Sequence, residues 1–362
     1  MKLSVSLALI ALVAAFSLTE IGTTGMSDRF GFFGPIVAAD AKTAVIPIGR
    51  WEDKGNNKTV INVYGVGADS KWSLINSFVN DEHDIAIPAF LSEDFLIAAS
   101  VALGTQDPDA HVDIYSRHGN DFAPFQDIDL KAGICAFVAN ADRFIGIHLD
   151  NTIYEYVLSN GKFVPGVSSK VSFSYPARSV QILADDMLLV QSNATDAYTV
   201  VKKNGSWVTS EVHSVPPDFN LEDGVTNKCG FGLGAFTNTN DGAPTMVIFR
   251  RSADVLTHFK YVIKAQDVPG ISVDDISDID YRVMDANTIL VQITISTFDP
   301  SKAVSTGRLT LTRDEATWSA EKFESSEVPV KNSFLTNGGV TENGNIVAFA
   351  FSQTEAYAFL GK

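Results

Sequence analysis

The stretch Val180-Gln181-Ile182-Leu183-Ala184-Asp185-Asp186-Met187-Leu188-Leu189-Val190-Gln191-Ser192 decides how the whole chain is read. Two apolar runs of strand length flank a small residue and two carboxylates, the composition of a tight turn between paired strands. The same pattern, apolar run, small residue, acidic residue, apolar run, recurs around Asp40, Glu93, Asp142, Asp241, Asp285 and Glu342. The spacing varies between 43 and 57 residues and averages about 50, close to the repeat length of radial β-sheet arrays. Variation of that size places insertions in loops, where closure entropy grows slowly with length.

Each copy runs on into a second hairpin whose last strand opens on an aromatic: Trp72, Phe122, Phe163, Trp207 and Trp318. Asn160-Gly161 and Asn204-Gly205 are the strongest turn signals in this hairpin, because both residue types tolerate positive φ. Two hairpins make a four-stranded antiparallel blade, and blades arranged radially bury their faces against one another. The expected fold is an all-β, seven-bladed β-propeller spanning residues 27–362. Its last copy ends on a third strand at Ala356–Leu360, so an N-terminal strand has to close the ring, and Arg29-Phe30-Gly31-Phe32-Phe33 is apolar enough to do so. The fifth copy is the poorest match and lacks a clear outer strand after Val262. Trp72, Trp207 and Trp318 are expected to fill space between blades.

The fifth copy, Phe231-Gly232-Leu233-Gly234-Ala235-Phe236 through Asp241-Gly242 to Thr245, resembles an FG-GAP repeat of integrin-α-like propellers. That resemblance implies a calcium loop between the first two strands. Asp241 and Gly242 fit it, but Thr237, Thr239 and Thr245 stand where the family has carboxylate or amide oxygens, which leaves Ca²⁺ too few strong ligands. No metal or cofactor is therefore expected, a single Ca²⁺ being the only ion the resemblance suggests. The resemblance speaks to architecture far more than to activity.

Met1-Lys2 precedes an uncharged apolar run from Leu3 to Leu18, the layout of a secretory leader over residues 1–17, with Val13-Ala14-Ala15 or Ala15-Phe16-Ser17 as the small-residue cleavage motif. Secretion is the expected destination, with a periplasm, or a plastid reached through a bipartite leader, as the alternatives. No later apolar run is long enough to span a bilayer as a helix, so no stable membrane insertion is expected after cleavage. N-glycosylation patterns stand at Asn57-Lys58-Thr59, Asn193-Ala194-Thr195 and Asn204-Gly205-Ser206. With 27 Lys and Arg against 43 Asp and Glu the formal charge is −16, which repels nucleic acid. A monomer that binds a protein or glycan is the expected partner state.

Chemistry-bearing motifs are sparse. His83, His111, His118, His148, His213 and His258 show no metal-ligand spacing, and no nucleophile elbow or phosphate loop is present. His148 is the candidate channel-facing group. The loops on the expected binding face collect Asp81, Glu82 and Asp84; Asp107 and Asp109; Asp218, Glu222 and Asp223; and Asp274, Asp275, Asp278 and Asp280. Such a mouth concentrates cations or a basic partner. The acidic residue of each repeat is read instead as a turn cap on the opposite face. Cys135 and Cys229 lie on non-adjacent blades and are read as separate thiols. The primary functional reading is a non-catalytic binding module acting through the acidic face. The alternative is a propeller hydrolase or lyase with a carboxylate-lined, divalent-metal-binding channel.

Overall fold

Alternation of buried and exposed side chains, as in the third strand of the second sheet and of the third, marks strands with one face in a core and one outside. The computed structural model describes residues 18–25, 43–51, 57–66, 72–80, 85–91, 94–101, 110–119, 121–130, 133–140, 142–192, 196–214, 231–239, 243–252, 255–295, 304–315, 317–328, 334–340, 344–351 and 355–361. These residues form 26 strands and one short 3-10 turn, Val273–Asp275. The chain opens with β1 (Leu18–Gly25). The first sheet holds β2 (Thr43–Trp51), β3 (Asn57–Val66) and β4 (Trp72–Asn80); the second holds β5 (Ile85–Leu91), β6 (Phe95–Val101), β7 (Ala110–His118) and β8 (Asp121–Asp129). The third holds β9 (Ile134–Ala139), β10 (Arg143–His148), β11 (Thr152–Ser159) and β12 (Lys162–Lys170); the fourth holds β13 (Ser179–Ala184), β14 (Met187–Gln191), β15 (Asp196–Lys203) and β16 (Ser206–Ser214). The fifth has three strands, β17 (Leu233–Asn238), β18 (Thr245–Ser252) and β19 (Val255–Val262). The sixth has β20 (Ile276–Asp285), β21 (Thr288–Ile295), β22 (Ser305–Asp314) and β23 (Thr317–Glu327), and the seventh has β24 (Phe334–Val340), β25 (Ile346–Phe351) and β26 (Glu355–Gly361) joined by β1.

All pairings are antiparallel, and consecutive sheets touch: β2 and β3 against β5, β5 against β9, β9 against β13, β13 against β17, β17 against β20, β20 and β21 against β24, and β1 against β4. The architecture is a β-propeller. Its cores lie between sheets. Trp207, 1% exposed, sits in a cluster with Ile145, Ile147 and Ile153 of the sheet before it, and Trp318 joins Tyr281, Val291 and Leu309. Fully burying a ring or large aliphatic of this kind stabilises by roughly 1.5–3 kcal/mol, which explains the aromatic at the start of outer strands.

The strand that completes the seventh sheet is Leu18–Gly25, upstream of the expected Arg29–Phe33, which lies outside the described residues. β1 thus pairs with β26 upstream of residue 27, the expected start of the propeller. Register explains the choice. In the first, second, third, fourth and sixth sheets the outer strand carries a bulge three residues after its leading aromatic, at Ile75, Phe125, Gly166, Ser210 and Glu321. The β1–β26 pair carries the same irregularity at Ile21, three residues after Leu18. Leu18 takes the aromatic's place and packs against Val304, Val328, Ala348, Ala350 and Phe359. A bulge at each of these six edges twists the strand away from further pairing, which blunts edge-to-edge association.

The fifth sheet is inverted. Its innermost strand β17 runs antiparallel to both flanking inner strands: Gly232 N–H donates to Leu183 O (2.9 Å), Ala235 N–H reaches Gln181 Oε1 (3.2 Å), and Thr239 Oγ1 donates to Ser277 O (3.3 Å). The three described strands therefore follow the directions of strands two to four of a complete blade. The connection from β17 to β18, expected to lie on the face opposite the mouth, opens on the mouth face instead. Asn240, Asp241 and Gly242 within it lie outside the described residues. In the first sheet β2 likewise runs in the direction of β4, in agreement with the sequence reading, where it follows the Asp40 turn as a second strand.

Candidate functional site

Two polar assemblies hold the inter-sheet seams, and they define what the mouth is built on. Glu155 of β11 is buried, with 1% of its side chain exposed. It meets Lys202 Nζ from the next sheet at 2.7 Å and Arg143 Nη1 at 3.5 Å. Arg143 also donates to Asp185 O (2.7 Å) and pairs with the Asp185 carboxylate in the β13–β14 turn. Gly166 lies against Glu155: a Cβ there would lie 3.3 Å from Glu155 O and 3.4 Å from Oε2. On the next seam Arg251 pairs with Asp186 at 2.6 Å and holds its carboxyl below the ordinary value. Arg308 binds Gly344 O and the Glu324 carboxylate. The repeated acidic turns are thus partly clasped by arginines of neighbouring sheets. Of the described ones, Asp285 caps its own turn through Asn287 N–H (2.8 Å), Asp185 serves Arg143, and in the third sheet Asn140 rather than Asp142 makes the turn bonds.

The second assembly lies on the innermost strands. Gln181 from β13 pairs its amide with the backbone of Ala235 in β17, Nε2 donating to O at 2.8 Å and Oε1 accepting from N–H. Tyr281 OH from β20 donates to Gln181 Oε1 (3.0 Å) and lies 2.7 Å from Ala235 O and N. Gln181, Tyr281 and Ala235 are fully buried. The β17 edge facing away from β18 is satisfied at this level by side chains from both flanking sheets, where the described residues provide no fourth strand. Gln126 pairs in the same two-bond manner with Phe163, and Gln292 donates to Val347 O (3.0 Å).

The mouth face carries the exposed groups. Asp274 and Asp275 sit in the 3-10 turn that leads into β20; Asp274 is exposed, and Asp275, Asp278 and Asp280 are half-buried. Asp278 and Asp280 occupy the first turns of β20, where Ser277 Oγ donates to Thr294 O (3.1 Å). Asp81, Glu82, Asp84, Asp107, Asp109, Asp218, Glu222 and Asp223 lie outside the described residues. Two apolar groups on this face were not anticipated: Tyr175, 59% exposed in the β12–β13 connection, and Leu149, 54% exposed in the β10–β11 turn. Tyr175 is held out by its neighbour, since Ser174 donates its N–H to Tyr198 OH (3.1 Å) and the two hydroxyls pair at 2.7 Å. The available signal was an aromatic followed by Pro176 that does not open a strand.

His148, the candidate channel group, stands at the mouth end of the second strand, β10. Its ring meets Tyr154 edge-on (centroids 5.6 Å) and its Nδ1 is 3.5 Å from Asp150 Oδ1. Hydrogen bonds from Thr152, joined by Lys170, hold Asp150 at about 2. Cys135 is a free thiol, pushed up to about 11 by burial and therefore protonated and unreactive at neutral pH. Cys229 lies outside the described residues. Among the described residues no three His, Cys, Asp or Glu side chains converge as metal ligands would.

His213 lies between the fourth and fifth sheets, 7% exposed, with Nε2 2.6 Å from Thr199 Oγ1. Phe249 and His258 of the fifth sheet and Glu211 of its own strand surround it. Burial lowers its pKa; Glu211 opposes and His258 adds to the shift. A depressed folded-state value means the unfolded chain binds the proton more readily, so this contribution is present above about pH 6.5 and is lost as pH falls through the folded value. The expected result is that a His213→Gln chain loses less denaturant stability between pH 7.5 and pH 5 than the unaltered chain. Identical losses would place His213 outside the acid response.

No family model and no curated protein matches this chain. Among solved structures it is similar to the "putative 6-phosphogluconolactonase" of Bacteroides uniformis, at 8% identity and a TM-score of 0.50, over 81% of this chain and 87% of that one. The C-terminal WD40 domain of Sif2 aligns over 95% of this chain and 98% of its own at 10% identity, with a TM-score of 0.46. At these identities the first likeness concerns the fold alone, and the chain is a β-propeller.

Proposed function

We propose that this chain is a secreted, monomeric, seven-bladed propeller that binds a protein or glycan partner through its mouth face and performs no chemistry there. The observation that carries the reading is the presence on one face of an exposed Tyr175, whose neighbour Ser174 is bonded to Tyr198, and the acidic group Asp274, Asp275, Asp278 and Asp280. Aromatic anchors supply contact area at low entropic cost, and a carboxylate rim steers a basic partner toward it. The buried Gln181–Tyr281–Ala235 junction supports binding over catalysis, because it fills the inner edge with satisfied amide and hydroxyl groups in place of free carboxylates. The blunted outer edges support the monomer. The FG-GAP likeness of the fifth unit belongs to this reading as a statement about blade ancestry and rests on the sequence of that unit.

The test screens the secreted chain against a glycan array and a library of Lys- and Arg-rich peptides, then repeats any hit with a Tyr175→Ala, Asp274→Lys double variant. Both sites are exposed, so folding is retained. Binding is expected to fall at least tenfold, with an association rate that declines as salt rises. Undiminished binding by the double variant, or a hydrolysis or elimination reaction catalysed by the unaltered chain, would overturn the proposal.

A further inference from the structure

We infer that Asn204 is an N-glycan acceptor, carried on the face opposite the mouth; this rests on the secretory reading above. Asn204-Gly205-Ser206 forms the tip of the β15–β16 hairpin, with φ of 51° at Asn204 and 75° at Gly205. All three residues are exposed, and a Cβ placed on Gly205 would meet no atom within 4 Å. The tip is therefore open to solvent, and a branched sugar on Asn204 Nδ2 leaves an exposed residue rather than a packed group. The other two acceptor patterns are placed differently. Asn57 opens β3, and the backbone of Thr59 lies in register with Gly49 and Asn80 within the first sheet; Asn193–Thr195 lies outside the described residues.

The strand directions set the consequence. β15 runs away from the mouth, so its far end carries the glycan while the face bearing Tyr175 and Asp274 stays open for a partner. The reaction is a substitution. Nδ2 of Asn204 attacks the anomeric carbon of a lipid-pyrophosphate-linked oligosaccharide, the new C–N bond forms as the C–O bond to the lipid pyrophosphate breaks, and the amide proton is lost to base. Ser206 supplies the hydroxyl that the acceptor pattern requires.

The third sheet provides an internal control. Asn160-Gly161-Lys162 makes the same turn at the equivalent place, with φ of 50° and 74° and equal exposure, but has Lys162 where the hydroxyl is needed. Any modification that follows from Asn-Gly turn geometry alone strikes both sites; glycosylation strikes only Asn204.

The experiment expresses the full chain with its own leader in a eukaryotic secretory host, then maps peptides by mass before and after enzymatic release of N-glycans. The expected result is a chain in the medium whose Asn204 peptide is glycosylated and converts to Asp on release, while Asn160 is unchanged. Asn204→Gln and Ser206→Ala should each remove one glycan's mass and leave partner binding in place, with Ser206→Ala also keeping the thermal midpoint while Gln at the positive φ of position 204 lowers it slightly, and Ser206→Thr should restore the glycan. An exported chain with unmodified Asn204 overturns this inference and leaves the secretory reading standing. A chain retained inside the cell with its leader intact and Asn204 unmodified overturns both.

Discussion

Replacing Glu155 with alanine is expected to destabilise the protein by about 3–5 kcal/mol, the usual result of stripping one partner from a buried ion pair. The physical cause is the pair left behind. Arg143 is 7% exposed and Lys202 28% exposed, and both lean on the Glu155 carboxylate from opposite sides of one seam. Without it, two cations face each other across a region water reaches poorly. Arg143 retains Asp185, which is itself almost wholly exposed, so that bond replaces little of what is lost. Urea unfolding should show a lower midpoint with an unchanged slope. A loss below about 1 kcal/mol would mean that the seam is hydrated and the clasp behaves as a surface pair. Replacing Arg143, Glu155 and Lys202 together with apolar residues of matching volume should recover much of the stability, because the desolvation cost then disappears with the charges.

Replacing Gln181 with leucine should cost about 2–4 kcal/mol although the side chains are similar in size. The volume is conserved but the pairing is not. Ala235 N–H and C=O both lose a partner, and the Tyr281 hydroxyl, 2.7 Å from each, is left to accept from the one and donate to the other without the amide that shares both bonds. An orphaned buried backbone group costs about 1–3 kcal/mol. Tyr281→Phe should be milder, about 1–2 kcal/mol, since Gln181 still bridges both atoms. The order of the two effects is the sensitive readout: if Tyr281→Phe were the more damaging, the hydroxyl rather than the amide would be holding the edge of β17.

Some of this organisation was open to reading from the chain alone. The aromatic that opens an outer strand and the apolar–turn–apolar unit follow from local periods and turn chemistry, and the positive φ values at Asn160, Gly161, Asn204 and Gly205 are what an Asn-Gly hairpin demands. The mouth was legible only in part. Asp274, Asp275, Asp278 and Asp280 come together because one 3-10 turn leads directly into β20, a local fact. Tyr175 was missed because its exposure follows from its neighbour Ser174, which bonds Tyr198, 24 residues further along, in another strand of the next sheet.

What the sequence determined by itself is the inventory: strands of given length, the turns between them, and the side of each strand that is apolar. Those depend on a two-residue alternation and on turn residues, interactions of near neighbours that every copy carries independently. Tertiary structure alone decided the direction of the fifth sheet and which N-terminal strand joins the seventh. An alternating pattern reads the same from either end, so it cannot state which way β17 runs. Among the described residues, the bonds of Ala235 to Gln181 and Tyr281 and of Gly232 to Leu183, from sheets on both sides, give that edge its partners. Likewise Arg29–Phe33 is the more aromatic segment, yet Leu18–Gly25 fills the place, because its register sets Leu18 in the buried cluster and puts the bulge at Ile21 where other outer strands have theirs.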